Sequence, residues 1–357
     1  MKSLPLLLFL AAGVCAVHAQ NVPVARNGVE AAAVVRSEFI YERAPFASCH
    51  ATTIAESGRA LVAAWFGGTR EGDPDVGIWF SRSLNGGWSA PVEVANGEGV
   101  GPDGARARHP AWNPVLFQAK RGPLLLFYKV GPSPARWRGF LKRSVDGGLT
   151  WSAAEPLPEG FVGPVKNKPV ELVDGTLLCP ASLETAEKPS RWQVQFESTA
   201  DLGKTWRKTG LLNDGLEIAA IQPSVLFLGG ERLLALGRTR QGRVFSMASE
   251  NLGRDWSPMQ LTELANPNSG TDAVTLEDGR QVLVYNPVAK GRTPLVVAVS
   301  ADGLAWKEAL VLESEPGEYS YPAVIQSGDG RVHVTYTWRR QRVRHVVLDP
   351  ARLGIVP

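Results

Sequence analysis

Ser144-Val145-Asp146-Gly147-Gly148-Leu149-Thr150-Trp151 reads Ser-x-Asp-x-Gly-x-Thr-Trp, and the chain repeats it. Thr199-Ala200-Asp201-Leu202-Gly203-Lys204-Thr205-Trp206 is the same pattern with Thr for Ser, and Ser249-Glu250-Asn251-Leu252-Gly253-Arg254-Asp255-Trp256 is a weaker copy. Ser300-Ala301-Asp302-Gly303-Leu304-Ala305-Trp306 and Ser83-Leu84-Asn85-Gly86-Gly87-Trp88 are each one residue shorter. The five tryptophans stand 50 to 63 residues apart. A period of that length, with room for four short strands, describes the blades of a propeller. Each copy is a turn. Asp or Asn bonds its own backbone, Gly accepts positive φ, and the Trp opens the next strand with a ring large enough to cover a neighbouring blade. The loop is read as structural rather than as a calcium or sugar site.

Outward from these boxes, strands are expected in sets, two before the first box and three in each later blade. Arg59 to Phe66 and Val76 to Ser83 precede the first box, and Trp112 to Phe117, Leu124 to Lys129 and Phe140 to Ser144 precede the second. Val170 to Val173, Thr176 to Leu183 and Trp192 to Ser198 form a third set, and Ser224 to Leu228, Arg232 to Arg238 and Val244 to Ser249 a fourth. Ala273 to Leu276, Gln281 to Asn286 and Leu295 to Ser300 form a fifth. Tyr321 to Gln326, Arg331 to Trp338 and Val343 to Leu348 make a sixth blade without a box, closed by Val34 to Tyr41 so that no sheet edge stays open. The expected fold is all-β, a six-bladed β-propeller in one domain over residues 34–357. No segment carries a helical period.

Composition excludes several classes. Of 357 residues 44% are hydrophobic and 20% charged, ordinary for a globular core, and a net charge of +3 argues for neither nucleic acid nor a membrane surface as partner. Lys2, the apolar run Leu4 to Val17 and the small-x-small Val17-His18-Ala19 predict a signal peptide over 1–19, then a leader over 20–33. The run is too short to span a bilayer, so the mature chain is expected in the periplasm or outside the cell. Cys49 and Cys179 lie in different repeats and read as buried free thiols. No Cys/His cluster has metal-ligand spacing, so neither a metal nor a cofactor is expected.

The first residues of each inner strand sit at one mouth of a propeller's channel. Here they are polar: Ser48-Cys49-His50, Arg108-His109-Pro110-Ala111-Trp112-Asn113, Lys166-Asn167-Lys168, Gln222-Pro223-Ser224, Asn266 to Asp272 with Asn268 inside, and Glu318-Tyr319-Ser320-Tyr321. The loop Gly67 to Asp75 adds Arg70, Glu71, Asp73 and Asp75. Arginine presents a planar fork that matches a carboxylate, so a mouth this cationic expects an anionic ligand.

Signal peptide, boxes and six blades together resemble the bacterial sialidase (neuraminidase) superfamily, in its BNR-repeat branch. The resemblance implies three arginines gripping a substrate carboxylate, a nucleophilic tyrosine and an aspartic acid/base. Leu236-Gly237-Arg238-Thr239 matches the second arginine and Gly291-Arg292-Thr293 the third. Tyr321 matches the nucleophile, with Tyr319 as fallback, and Asp73 after Arg70 the acid/base, with Asp75 second. Two positions depart. His50 stands where the first arginine belongs, and Gln222 stands where a glutamate should activate the tyrosine. Glutamine is no base, and a free phenol ionises only near pH 10. Asp272 and Glu217 are the carboxylates that could take that glutamate's part.

Three functions remain open. One is a secreted exo-glycosidase removing a terminal acidic sugar, sialic acid or a related keto-deoxy acid. Tyr321 would attack and Asp73 would move the proton. Arg238, Arg292 and Arg70 or Lys168 would hold the carboxylate, with Arg108, His109, Lys166, Gln222, Asn268 and Asp272 around the sugar. The second is a lyase or rhamnose-releasing hydrolase on uronate-containing polysaccharide, with His50 as the base. The third is a non-catalytic glycan-binding propeller.

Overall fold

The structure is a computed structural model that describes residues 32–100 and 106–354. The expected signal peptide and residues 20–31 of the leader lie outside the described residues. Six antiparallel sheets, each of at least four strands, are arranged as the blades of a propeller. In each blade the innermost strand comes first in the chain, except that the sixth takes its outermost strand, Val34–Phe39, from the N-terminal end. That strand pairs antiparallel with Arg342–Leu348 and closes the ring. Strand ends agree with the sequence-based ranges to within a few residues. A two-stranded ribbon, Glu98–Val100 with Arg106–Arg108, was not foreseen.

The boxes form as their chemistry requires. The Ser144 hydroxyl takes the Gly148 N–H (2.8 Å) while Asp146 takes the Thr150 N–H (2.9 Å). The later boxes repeat these bonds through Thr199 and Asp201, Ser249 and Asn251, Ser300 and Asp302. Gly148 is obligatory, because its φ is +88° and a Cβ there would lie 2.2 Å from the Phe80 ring.

Each box tryptophan packs backward onto the preceding blade. Trp151 meets Phe80 edge-on at 5.6 Å, Trp206 meets Phe127 at 6.2 Å, and Trp256 stacks on Phe196 at 4.2 Å. Trp88 of blade one reaches back to His345 of blade six and donates to Glu38 of the closing strand. The core is therefore a ring of wedges between blades, rich in Val, Leu and Ala. Cys49 and Cys179 are free and buried, as expected.

Candidate active site

One irregularity recurs at the mouth. Near the start of every inner strand a residue other than glycine has positive φ: Ala51 (55°), Asn113 (39°), Lys166 (71°), Gln222 (60°), Asn268 (59°) and Tyr321 (51°). Strand register slips beside this residue in blades one, two, four and six, which marks β-bulges. Proline follows it in three blades, as Pro114, Pro223 and Pro322. A bulge breaks the ladder where proline has no N–H to give, and it re-aims the side chain before it. Left-handed backbone costs about 1–3 kcal/mol per residue, and such strain gathers at functional sites.

The bulge settles the choice between the two tyrosines. Side chains two apart on a strand share a face. Tyr319 does lie in the core between blades five and six, 1% exposed, its hydroxyl accepting from Arg339 at 3.2 Å. Tyr321 is turned away from it, toward blade one and the channel. Tyr319, the fallback nucleophile, is thus taken out of the mouth.

Around Tyr321 the candidate groups converge. The His50 ring lies against the tyrosine ring, centroids 4.1 Å apart, and His50 Nδ1 is hydrogen-bonded with Thr337 Oγ1 at 3.1 Å. The Arg238 guanidinium sits between two rings, 5.2 Å from Tyr321 and 5.2 Å from Trp192, and donates to the Asn268 carbonyl at 3.2 Å. Arg292 lies 5.8 Å from the Tyr321 ring and pairs with Glu318 at 2.7 Å.

A third arginine, not picked out in the sequence, joins them. Arg340 occupies the blade-six turn after Val332–Trp338, where its carbonyl takes the Cys49 N–H at 2.8 Å. Its Nε donates to the same Glu318 oxygen as Arg292, at 2.9 Å, and its fork also bonds Glu71. Turns between second and third strands open at the same mouth as the inner-strand starts.

Burial holds the His50 imidazole well below the usual histidine range, and Arg340, Arg292, Arg238 and Lys166 push the same way. His50 is therefore neutral at neutral pH. A bound carboxylate would offset those charges, while the larger effect of burial would remain.

Other candidates prove to be committed elsewhere. Lys166 is buried beneath the site and donates to the carbonyls of Thr271 (2.7 Å) and Pro322, strapping blade five to the Tyr321 bulge. Burial draws its amine down to about 7. Lys168 pairs with Asp272 at 2.9 Å, and Asp272 also accepts from Ser224 Oγ and the Val324 N–H. Neither is free for a ligand, and Asp272 cannot stand in for the missing glutamate. Glu217 is exposed.

Arg108 spends its fork on the carbonyls of Pro74 (2.9 Å) and Asp75 (3.0 Å) and on Glu93 and Glu98. It braces the Gly67 to Asp75 loop and is not a ligand contact. His109 is exposed and joins that edge through its backbone, to Gly97. Within the loop, Asp75 caps Thr69 (2.8 Å to its N–H), which leaves Asp73, paired among the described residues only with the exposed Arg70 at 3.0 Å, as the freer carboxylate. The loop is placed over blade two, with Gly72 against Trp112.

Blades three to five supply polar atoms without partners. Asn167 Oδ1, Gln222 Oε1, Arg238 Nε, Asn268 Oδ1, Ser269 Oγ and Thr271 Oγ1 are buried and unpaired among the described residues. Leaving such an atom unsatisfied costs about 1–3 kcal/mol.

Arginines gathered at one mouth of a six-bladed propeller define a cationic site suited to an anion. The chain belongs to the BNR repeat-like domain family, whose family model matches residues 59–334, and so to the BNR/sialidase superfamily. It is 23% identical over 240 residues to a sialidase of Bacteroides fragilis (strain YCH46), across 60% of this chain and 41% of that one. The chain thus spans less than half the length of that curated relative. Among solved structures it resembles a protein of unknown function from Dyadobacter fermentans DSM 18053 (18% identity, TM-score 0.71, covering 88% of this chain and 98% of that one). It also resembles the intramolecular trans-sialidase of Ruminococcus gnavus (14% identity, TM-score 0.70, 91% and 99% covered). At these identities the likeness is one of fold.

Proposed function

We propose that the protein is a secreted exo-glycosidase that removes a terminal acidic sugar, sialic acid or a related keto-deoxy acid, from glycans. The observation that carries this reading is the arginine set Arg238, Arg292 and Arg340 gathered about Tyr321, two of them held by the single carboxylate Glu318. The sugar carboxylate enters that set. Tyr321 Oη attacks the anomeric carbon, and the bond to the leaving oxygen breaks as Asp73 protonates it. Asp73 then takes a proton from the water that releases the sugar from the tyrosine. A tyrosine here takes the place of the usual carboxylate nucleophile. His50, in ring contact with Tyr321, would accept the phenol proton, since Gln222 cannot.

That same His50–Tyr321 contact favours one second reading, β-elimination on a uronate. His50 would remove the proton beside the carboxylate, and Tyr321 would protonate the leaving oxygen.

A product assay decides between them. Purified mature protein is incubated with sialylated, keto-deoxy-acid-capped and rhamnosyl-glucuronate glycans, with products read by mass and near-ultraviolet absorbance. A free acidic monosaccharide, lost at least 1,000-fold in Tyr321→Phe, is the expected result. An absorbing unsaturated product would move the chemistry to elimination. Wild-type turnover in Tyr321→Phe would overturn both mechanisms.

A further inference from the structure

A second cationic cleft lies at the box end of the propeller, between blades one and two. The strand Ser48–Ser57 begins beside the candidate active site with His50 and ends in this cleft with Ser57. At about 3.3 Å per residue the two places are roughly 25 Å apart. The cleft has a volume of about 570 Å³, within the range of small-ligand sites. Arg59, Arg82 and Lys120 reach it from blade one's first hairpin, its third strand and the blade-two turn.

The neighbouring acceptors are already occupied. Both Asp146 oxygens are used within the box, by Ser144 and Thr150, which hold its carboxyl near 2. Gln118 Oε1 takes the Ser57 hydroxyl at 2.6 Å, and its amide donates to the Ala119 and Gly122 carbonyls. The cations are not so matched. None of the three side chains has an ion pair or side-chain hydrogen bond among the described residues, and Arg82 Nε is fully buried without an acceptor. Its guanidinium is pressed against the box turn, its Nη2 3.5 Å from where a Gly147 Cβ would stand. A guanidinium whose outer nitrogens have no acceptor among the described residues, with two further cations around one cleft, is complementary to a planar or tetrahedral oxyanion.

We propose that this cleft is a second binding site, for the carboxylate or sulfate group of an acidic saccharide. Arg82 makes the oriented contact, and Arg59 and Lys120 add charge at the rim. The inference does not depend on the reaction at the other mouth.

The test is amide NMR titration of the full chain with three probes: a tetragalacturonate, inorganic sulfate and a neutral tetragalactose. The first two separate a carboxylate from a sulfate source. Saturable shifts are expected at Gly58, Gly122 and Gly147, distinct from any at Gly270 in the active-site mouth, with one or both anionic probes and not with the neutral one. Arg82→Gln should weaken binding at these amides at least tenfold, and Arg82→Lys less, with both variants keeping the wild-type spectrum elsewhere. Absence of shifts with both anions, equal shifts with the neutral sugar, or wild-type affinity in Arg82→Gln would overturn the proposal.

Discussion

Replacing Arg238 by lysine keeps the charge and removes the geometry. Arg238 is 7% exposed and is clamped between the Trp192 and Tyr321 rings while Nη1 donates to the Asn268 carbonyl. A lysine ammonium at this depth can place one strong bond on a carboxylate where the fork places two. A charge-assisted hydrogen bond contributes about 1.5–3 kcal/mol. Loss of the stacked cation on two rings adds about 0.5–1 kcal/mol. The expected penalty is about 3 kcal/mol, or roughly 150-fold in kcat/KM at 1.4 kcal/mol per tenfold.

The assay is steady-state hydrolysis of an acidic-sugar aryl glycoside and of its methyl ester. The ester removes the anion that Arg238 is argued to hold. Wild type should therefore lose activity on the ester, and Arg238→Lys should add less than about threefold to that loss. A loss below fivefold on the free acid would refute the assignment, as would equal losses on acid and ester. The second result would mean that Arg238 acts by packing alone.

Two further outcomes follow from the same geometry. Arg108→Gln removes the braces on the Pro74 and Asp75 carbonyls, so kcat should fall about tenfold while KM changes less than twofold, because a misplaced proton donor penalises the chemical step; an unchanged kcat in a kinetic comparison would show that the loop holds itself. Acid should destabilise the fold through its buried histidines. Burial takes His333 down to about 4 and also lowers His345 and His50. Each unfolded imidazole ionises near 6.5, above its folded value. The stability they contribute is therefore complete above about pH 6.5 and lost as pH falls toward 4, about 3 kcal/mol for His333 alone. Glu184, Glu197 and Glu313, raised by burial, act in the opposite direction above 4.5. The comparison is therefore made between wild type and His333→Gln by urea unfolding across pH 4–7. A stability difference that does not vary with pH would contradict the linkage.

The fold was legible because its signals are local. Asp146, Gly148 and Trp151 make their turn within eight residues; five such turns mark five blades, and the last set of strands supplies the sixth. Arg238, Arg292 and Tyr321 were picked out through the resemblance to the sialidase superfamily, whose motifs fall at those places in the repeats. Short-range bonds do not say which way a side chain faces across a bulge, nor what stands opposite it in another blade. By parity Tyr319 and Tyr321 are equivalent, and only the left-handed backbone at Tyr321 separates them.

Lys168 and Asp272 read as ligand groups until ring closure shows them spent on each other; Arg108 and Asp75 read so until Arg108 is seen bonding loop carbonyls and Asp75 capping Thr69. Arg340 belonged to no motif and enters the site because blade six, sealed by Val34–Phe39, sets its turn against blade one. The sequence by itself determined the blade count, the turns and most strands, since these depend on contacts a few residues apart. The tertiary structure alone decided which charges meet at the mouth. Those residues lie in different blades, and only closing the ring brings them within hydrogen-bonding range.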